Sequence, residues 1–81
     1  MRLDKFLKVS RLIPRRAVAQ DVLQEGLVTV NGRPAKPATR VKPGDVVVLS
    51  FGHRTIKFEV VGLAEHVTAK EAPGLYRLLE D

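Results

Sequence analysis

The sequence predicts an α+β fold: two short helices first, then strands joined as antiparallel hairpins, and a short helix near the end. Three observations carry this prediction. Apolar residues recur at helical spacing up to Gly26, they switch to a period of two after it, and Asn31-Gly32 is a strong hairpin-turn signal between strand-like runs. At 81 residues the chain is expected to form one domain over 1–81, burying only ~60–65% of the surface its unfolded form exposes.

Each element has a local reason. Leu3, Phe6 and Leu7 fall at i, i+3 and i+4, with Asp4 in the first turn where the helix dipole favours an anion, so a helix is expected from about Leu3 to Val9. Ile13-Pro14 interrupts it, because a residue before proline is pushed out of the helical region while Pro suits the first position of a new helix. The second helix is expected over about Pro14 to Glu25, with Val18, Ala19, Val22 and Leu23 as its apolar stripe and Gly26 as a left-handed terminator. Leu27-Val28-Thr29-Val30 then reads as a strand that turns at Asn31-Gly32 and returns through Arg33. Residues 34–43, with three prolines, read as an extended loop anchored by Val41 and ended by a Pro43-Gly44 turn. Val46 to Phe51 and Thr55 to Val61 form a second hairpin around Gly52-His53. Near the end, Thr68-Ala69-Lys70-Glu71 resembles a capping box, and a helix restarting at Pro73 and burying Leu75, Leu78 and Leu79 is the preferred reading there.

Composition removes several functional classes. No apolar run approaches the ~18 residues of a membrane span, and the basic residues near the start are interleaved with apolar ones, unlike a secretory signal. The expected location is the cytoplasm. With no cysteine there is neither a disulfide framework nor a thiolate metal site. His53 and His66 lack metal-ligand spacing and are expected to be surface residues, while Asp45 closes the Pro-Gly-Asp turn. No nucleophile–base pair or phosphate-cradling glycine loop is present, so the chain is read as a non-enzyme without a cofactor or metal.

Charge is the positive signal. Residues 1–42 carry ten Lys and Arg against three acids, a net +7, whereas residues 43–81 carry four against six, a net −2. A positive field at one end attracts polyanions, of which nucleic acid is the commonest in the cytosol; the bland alternative is a solvated basic face. Lys5 and Lys8 are helical neighbours with Arg2 on roughly the same side, Arg11 lies in the corner, and Arg15 and Arg16 open the second helix, where free N–H groups already favour phosphate. This mixture suits backbone contact more than base reading. Phe6, Phe51 and Phe58 fall at core-like positions and only Tyr76 is expected as an exposed ring, so structured RNA fits better than a single-strand stacking platform. Lys36, Arg40 and Lys42 on the Pro-rich loop offer a second contact or a solvated loop.

Arg2-Leu3-Asp4-Lys5-Phe6-Leu7, Arg11-Leu12, Arg16, Ala19, Gly26-Leu27-Val28-Thr29-Val30-Asn31-Gly32 and Val41-Lys42-Pro43-Gly44-Asp45 together resemble the S-four RNA-binding domain over residues 2–50. The resemblance implies the alpha-L motif, two helices packed on a small antiparallel sheet, with a C-terminal hairpin and tail over 51–81. It also implies RNA held by Arg2, Asp4, Lys5, Lys8, Arg11, Arg15, Arg16, Asn31, Arg33 and Lys36. Arg15 departs from the family, which often has Ser or Thr before the arginine; this removes a capping hydroxyl and leaves the start of the second helix open.

The chain starts on the motif and ends about 30 residues after it, so no attached catalytic domain of the pseudouridine synthase or tyrosyl-tRNA synthetase kind is expected. The run Arg2 to Ile13, with Lys70-Glu71-Ala72 and Leu75-Tyr76, is similar to the RqcP family of bacterial ribosome quality-control factors, relatives of the small ribosome-binding heat-shock protein. That resemblance implies binding to the rRNA of an obstructed large ribosomal subunit and to its peptidyl-tRNA, in support of alanine tailing by RqcH. A monomer off the ribosome and no membrane partner are expected. The competing readings are a heat-shock-type rescue factor that does not support tailing, and a protein-interaction module whose basic face is solvent.

Overall fold

In the computed structural model, which describes residues 1–80, the elements follow the expected order; Asp81, the end of the predicted tail, lies outside the described residues. Helix α1 spans Leu3–Val9 and α2 spans Arg16–Gln24. Strands follow at Val28–Val30 (β1), Arg33–Pro34 (β2), Val46–Phe51 (β3), Arg54–Val60 (β4) and Tyr76–Leu78 (β5), with a 3₁₀ turn at Ala72–Leu75. The sheet order is β2-β1-β3-β4-β5 and every pairing is antiparallel. Asn31 and Gly32 both have positive φ, 52° and 82°, as the tight hairpin turn between β1 and β2 demands.

Strand alternation puts one face of the sheet under the helices. Val47 and Leu49 of β3 and Phe58 and Val60 of β4 are buried, and Val28 of β1 lies opposite Leu49 on the same face. Leu3, Phe6 and Leu7 of α1 and Ala19, Val22 and Leu23 of α2 close over them. Phe6 stacks on Phe58 with centroids 6.1 Å apart, and Tyr76 meets Phe58 edge-on at 5.8 Å, so a single aromatic column joins α1, β4 and β5.

Four expectations change. Helix α2 starts at Arg16, not Pro14: Ile13 is pulled into the core and donates its N–H to the Leu7 carbonyl, so the corner persists through an extended Arg15 that has no side-chain cap. The C-terminal helix is only the 3₁₀ turn. The Thr68–Glu71 capping box does form, yet Pro73 and Gly74 oppose propagation, and the free edge of β4 recruits Tyr76–Leu78 as a strand. Leu75 is therefore buried and Leu78 exposed, while Tyr76 is half-buried instead of a free ring. Finally, Phe51 at the hairpin tip and Val18 on α2 are exposed, since nothing packs over those ends of the apolar patterns.

The proline-rich loop has a defined course. Leu3 N–H donates to the Thr39 carbonyl at 2.7 Å and Val41 N–H to the Met1 carbonyl at 2.9 Å, with Arg2 bridging to Arg40. The loop is thereby tied to the start of α1, which brings a second basic segment beside the helical corner. Among the described residues no helix is long and apolar enough to cross a membrane.

Candidate nucleic-acid interface

The interface is built around Asp4, which is fully buried in the first turn of α1. Arg2 donates from Nε to Oδ1 and from Nη2 to Oδ2, both at 3.2 Å. Arg16, at the start of α2, donates from Nε to Oδ2 at 3.3 Å and from Nη2 to Oδ1 at 3.5 Å. Gln20 adds Nε2 at 2.9 Å and the Lys5 backbone N–H adds 2.7 Å. Burial alone would push the Asp4 carboxyl up; hydrogen bonds from Gln20, Arg16 and the Lys5 backbone outweigh it and hold the group below its ordinary range. The carboxylate stays ionised and draws two guanidinium groups side by side from different elements.

This leaves a surface suited to phosphate. The Arg2 and Arg16 side chains remain 44% and 42% exposed, and each guanidinium turns only part of its five-donor fork toward Asp4. Held by a buried partner, they lose less freedom on gripping an anion than two free arginines would. Asp4 itself has no exposed surface, and its oxygens are taken up by the arginine pair, Gln20 and the Lys5 backbone. Gln20, one helical turn after Arg16, completes the cluster, and only the i, i+4 spacing of those two polar residues hinted at it.

The other predicted residues divide. Lys8 and Arg15 are exposed on either side of the corner, and Arg11 sits in it with φ 64°, a left-handed backbone, its Nη2 3.5 Å from the Val67 carbonyl. Lys5 is paired with Glu65, whose carboxyl that hydrogen bond and charge hold below its ordinary range. Arg33 and Lys36 are exposed on β2 and the loop, toward the sheet edge, while Arg40 joins Arg2 through the loop pairing. Asn31 is committed to the fold: its Nδ2 donates to Asp45 Oδ1 at 3.1 Å and its Oδ1 accepts from Val46 N–H at 2.9 Å. His53 and His66 are both exposed, His53 in the β3–β4 turn.

Residues 1–47 match the S4 domain family. Over all 81 residues the chain is 48% identical to the "RQC P-site tRNA stabilizing factor" of Halalkalibacterium halodurans, covering 92% of that relative. The chain belongs to the RQC P-site tRNA stabilizing factor family. The Bacillus subtilis member is 43% identical, again over the whole of this chain and 94% of its own length. Among solved structures, the heat shock protein 15 of Vibrio cholerae, described as trimeric, superposes with a TM-score of 0.89 at 32% identity, covering 98% of this chain and 81% of that one. The Asp4-centred arginine pair thus lies within the S4-matched segment, and the segment carrying Glu65 lies beyond it.

Proposed function

We propose that the chain is a non-enzymatic clamp acting in the cytoplasm on an obstructed large ribosomal subunit. It holds peptidyl-tRNA and rRNA through the α1–α2 corner and so supports RqcH-dependent alanine tailing of the stalled peptide. The observation that carries this reading is the Arg2–Asp4–Arg16 cluster, in which two arginines from separate elements are arrayed outward by one buried carboxylate. Lys8, Arg11, Arg15, Arg33, Lys36 and Arg40 extend the positive surface around it, giving a footprint that follows a phosphate backbone. Identity over the full chain with proteins named for stabilising P-site tRNA supports the tRNA half of the reading.

A clamp acts by holding partners in one geometry, so its effect is occupancy and processivity of another protein's reaction. The test uses purified obstructed subunits, RqcH and alanyl-tRNA. Longer alanine tails are expected with the chain present, and shorter ones with Arg2→Ala or Arg16→Ala. The likeness to heat shock protein 15 favours a second reading, rescue of the same subunit without tailing. Unchanged tails at saturating protein would select it. Binding to subunits should also weaken with salt by roughly 0.7–0.9 log units per log unit of salt for each phosphate neutralised.

A further inference from the structure

Beside the helical corner, the segment after β4 folds back to form the second wall of an open cleft. Lys8 and Arg11 stand on one side, Glu65 and His66 on the other, and Pro14 and Val67 contribute apolar surface. Apolar packing and two surface contacts tie the wall to the body of the domain. Ala64 and Val67 pack against the core, Glu65 pairs with Lys5, and the Val67 carbonyl accepts from Arg11. Arg11 is also one of two non-glycine residues with positive φ among those described, the other being the turn residue Asn31. A bulky residue held in that region marks a position where tertiary context overrides local preference.

The informative group is Glu65. It stands among Lys5, Lys8 and Arg11 on the most basic part of the molecule, where an anion repels phosphate and lowers affinity for RNA at large. A repulsive element within an attractive surface raises selectivity, because it is tolerated only by a ligand that puts something other than phosphate against it. A carboxylate accepts hydrogen bonds. The part of RNA that donates them in a pair is the Watson–Crick edge of an unpaired guanine, where N1–H and the N2 amino group lie side by side; the other three bases set an acceptor next to their donor.

We propose that this cleft is a base-reading subsite. The Glu65 carboxylate accepts N–H donors from one unpaired guanine, Pro14 and Val67 line its ring, and Lys8 and Arg11 hold the flanking phosphates. The proposal rests on the corner's binding RNA and adds to it a preference that phosphate contacts alone cannot supply.

The experiment is anisotropy titration of the full chain with matched RNA hairpins whose loops carry one guanosine, inosine or uridine at the same position, at fixed salt. Inosine lacks only the N2 amino group. The wild type is expected to favour guanosine over inosine by about tenfold, within the range of a bidentate base contact. Glu65→Gln, which keeps the shape, and Glu65→Ala should both lose that preference, and Glu65→Ala should bind the uridine loop more tightly than wild type does. Lys5→Met should retain the preference. Equal binding of the three loops by wild type, or an intact preference in Glu65→Ala, overturns the proposal. So does an equal loss for all loops in Lys5→Met and Glu65→Ala, which would make the pair a strut for the wall. Arg16→Ala separates the two levels: undiminished binding there overturns the corner reading itself, whereas weakened binding with no base preference in wild type overturns only the subsite.

Discussion

The described residues bury two carboxylates, Asp4 in the helical corner and Asp45 at the start of β3, and the two are used differently. Both are desolvated, and both are held below the ordinary carboxylate range by hydrogen bonds: from Gln20, Arg16 and the Lys5 backbone at Asp4, and from Lys42 and Asn31 at Asp45. Asp45 spends its acceptors on closing turns. It accepts from the Lys42 backbone at 2.9 Å, from Lys42 Nζ at 3.0 Å and from Asn31, which in turn holds Val46, so the group locks the β1–β2 hairpin to the entry of β3. Asp4 spends its acceptors on two arginines whose other edges face solvent. The same buried anion stabilises backbone geometry in one place and presents cations to a ligand in the other. What differs is whether the donor belongs to the chain's own turn or to a long side chain with hydrogen-bonding capacity left over.

The largest expected effect tests whether the two regions are energetically separate at all. Phe6 of α1 stacks on Phe58 of β4, so Phe6→Ala should cost about 3–5 kcal/mol and still give one unfolding transition in urea; two transitions would mean that corner and sheet fold independently.

Next come the carboxylates. Asp4→Asn and Asp45→Asn should each cost about 1–3 kcal/mol, because each removes the charge that several buried hydrogen bonds converge on. Their effects on RNA should part: Asp4→Asn is expected to weaken binding by roughly tenfold through the misplaced arginine pair, and Asp45→Asn to leave it near wild type. Titration with a ribosomal stem-loop alongside a thermal melt checks this, and equal binding losses would dissolve the contrast. Arg16→Ala belongs with the same group. As a plain surface cation it would shift stability by ~0.5 kcal/mol, but as a donor to a buried carboxylate it should cost about 1–2 kcal/mol.

The pH dependence should be shared by both sites. Each carboxyl has a folded pKa below its ordinary value of 3.8, so well above 3.8 it is ionised in both the folded and the unfolded chain and its contribution is complete. As pH falls through 3.8 the unfolded chain takes up protons first, and stability is lost progressively toward the lower folded value. Melting temperatures measured from pH 5 downward should therefore drop below about pH 4, with a shallower drop in either Asn variant. A flat profile would mean that neither group is preferentially ionised in the folded state. The smallest effect is expected at Val18, exposed on α2, where Val18→Ala should change stability by less than ~0.5 kcal/mol.

Much of this molecule was legible in its sequence, because much of it is decided within a few residues. Leu3, Phe6 and Leu7 specify a buried helical face at their spacing alone, Gly26 stops α2, and Asn31-Gly32 can hardly do anything but turn. The basic bias of residues 1–42 likewise needs no fold to be seen. Tertiary structure decided the rest. Asp4, Arg16 and Gln20 converge only because α1 packs on α2, and Arg40 reaches Arg2 only because the proline-rich loop pairs with the chain start. Residues 76–78 become a strand because β4 presents an unpaired edge, which outweighs a capping box worth one turn. Glu65, an unremarkable acid in a polar stretch, meets Lys5 sixty residues away for the same reason: the favourable contact exists only after the core has fixed both backbones. Local propensity is settled by short-range sterics that a sequence displays, whereas a site made of distant side chains depends on which surfaces the core leaves facing one another.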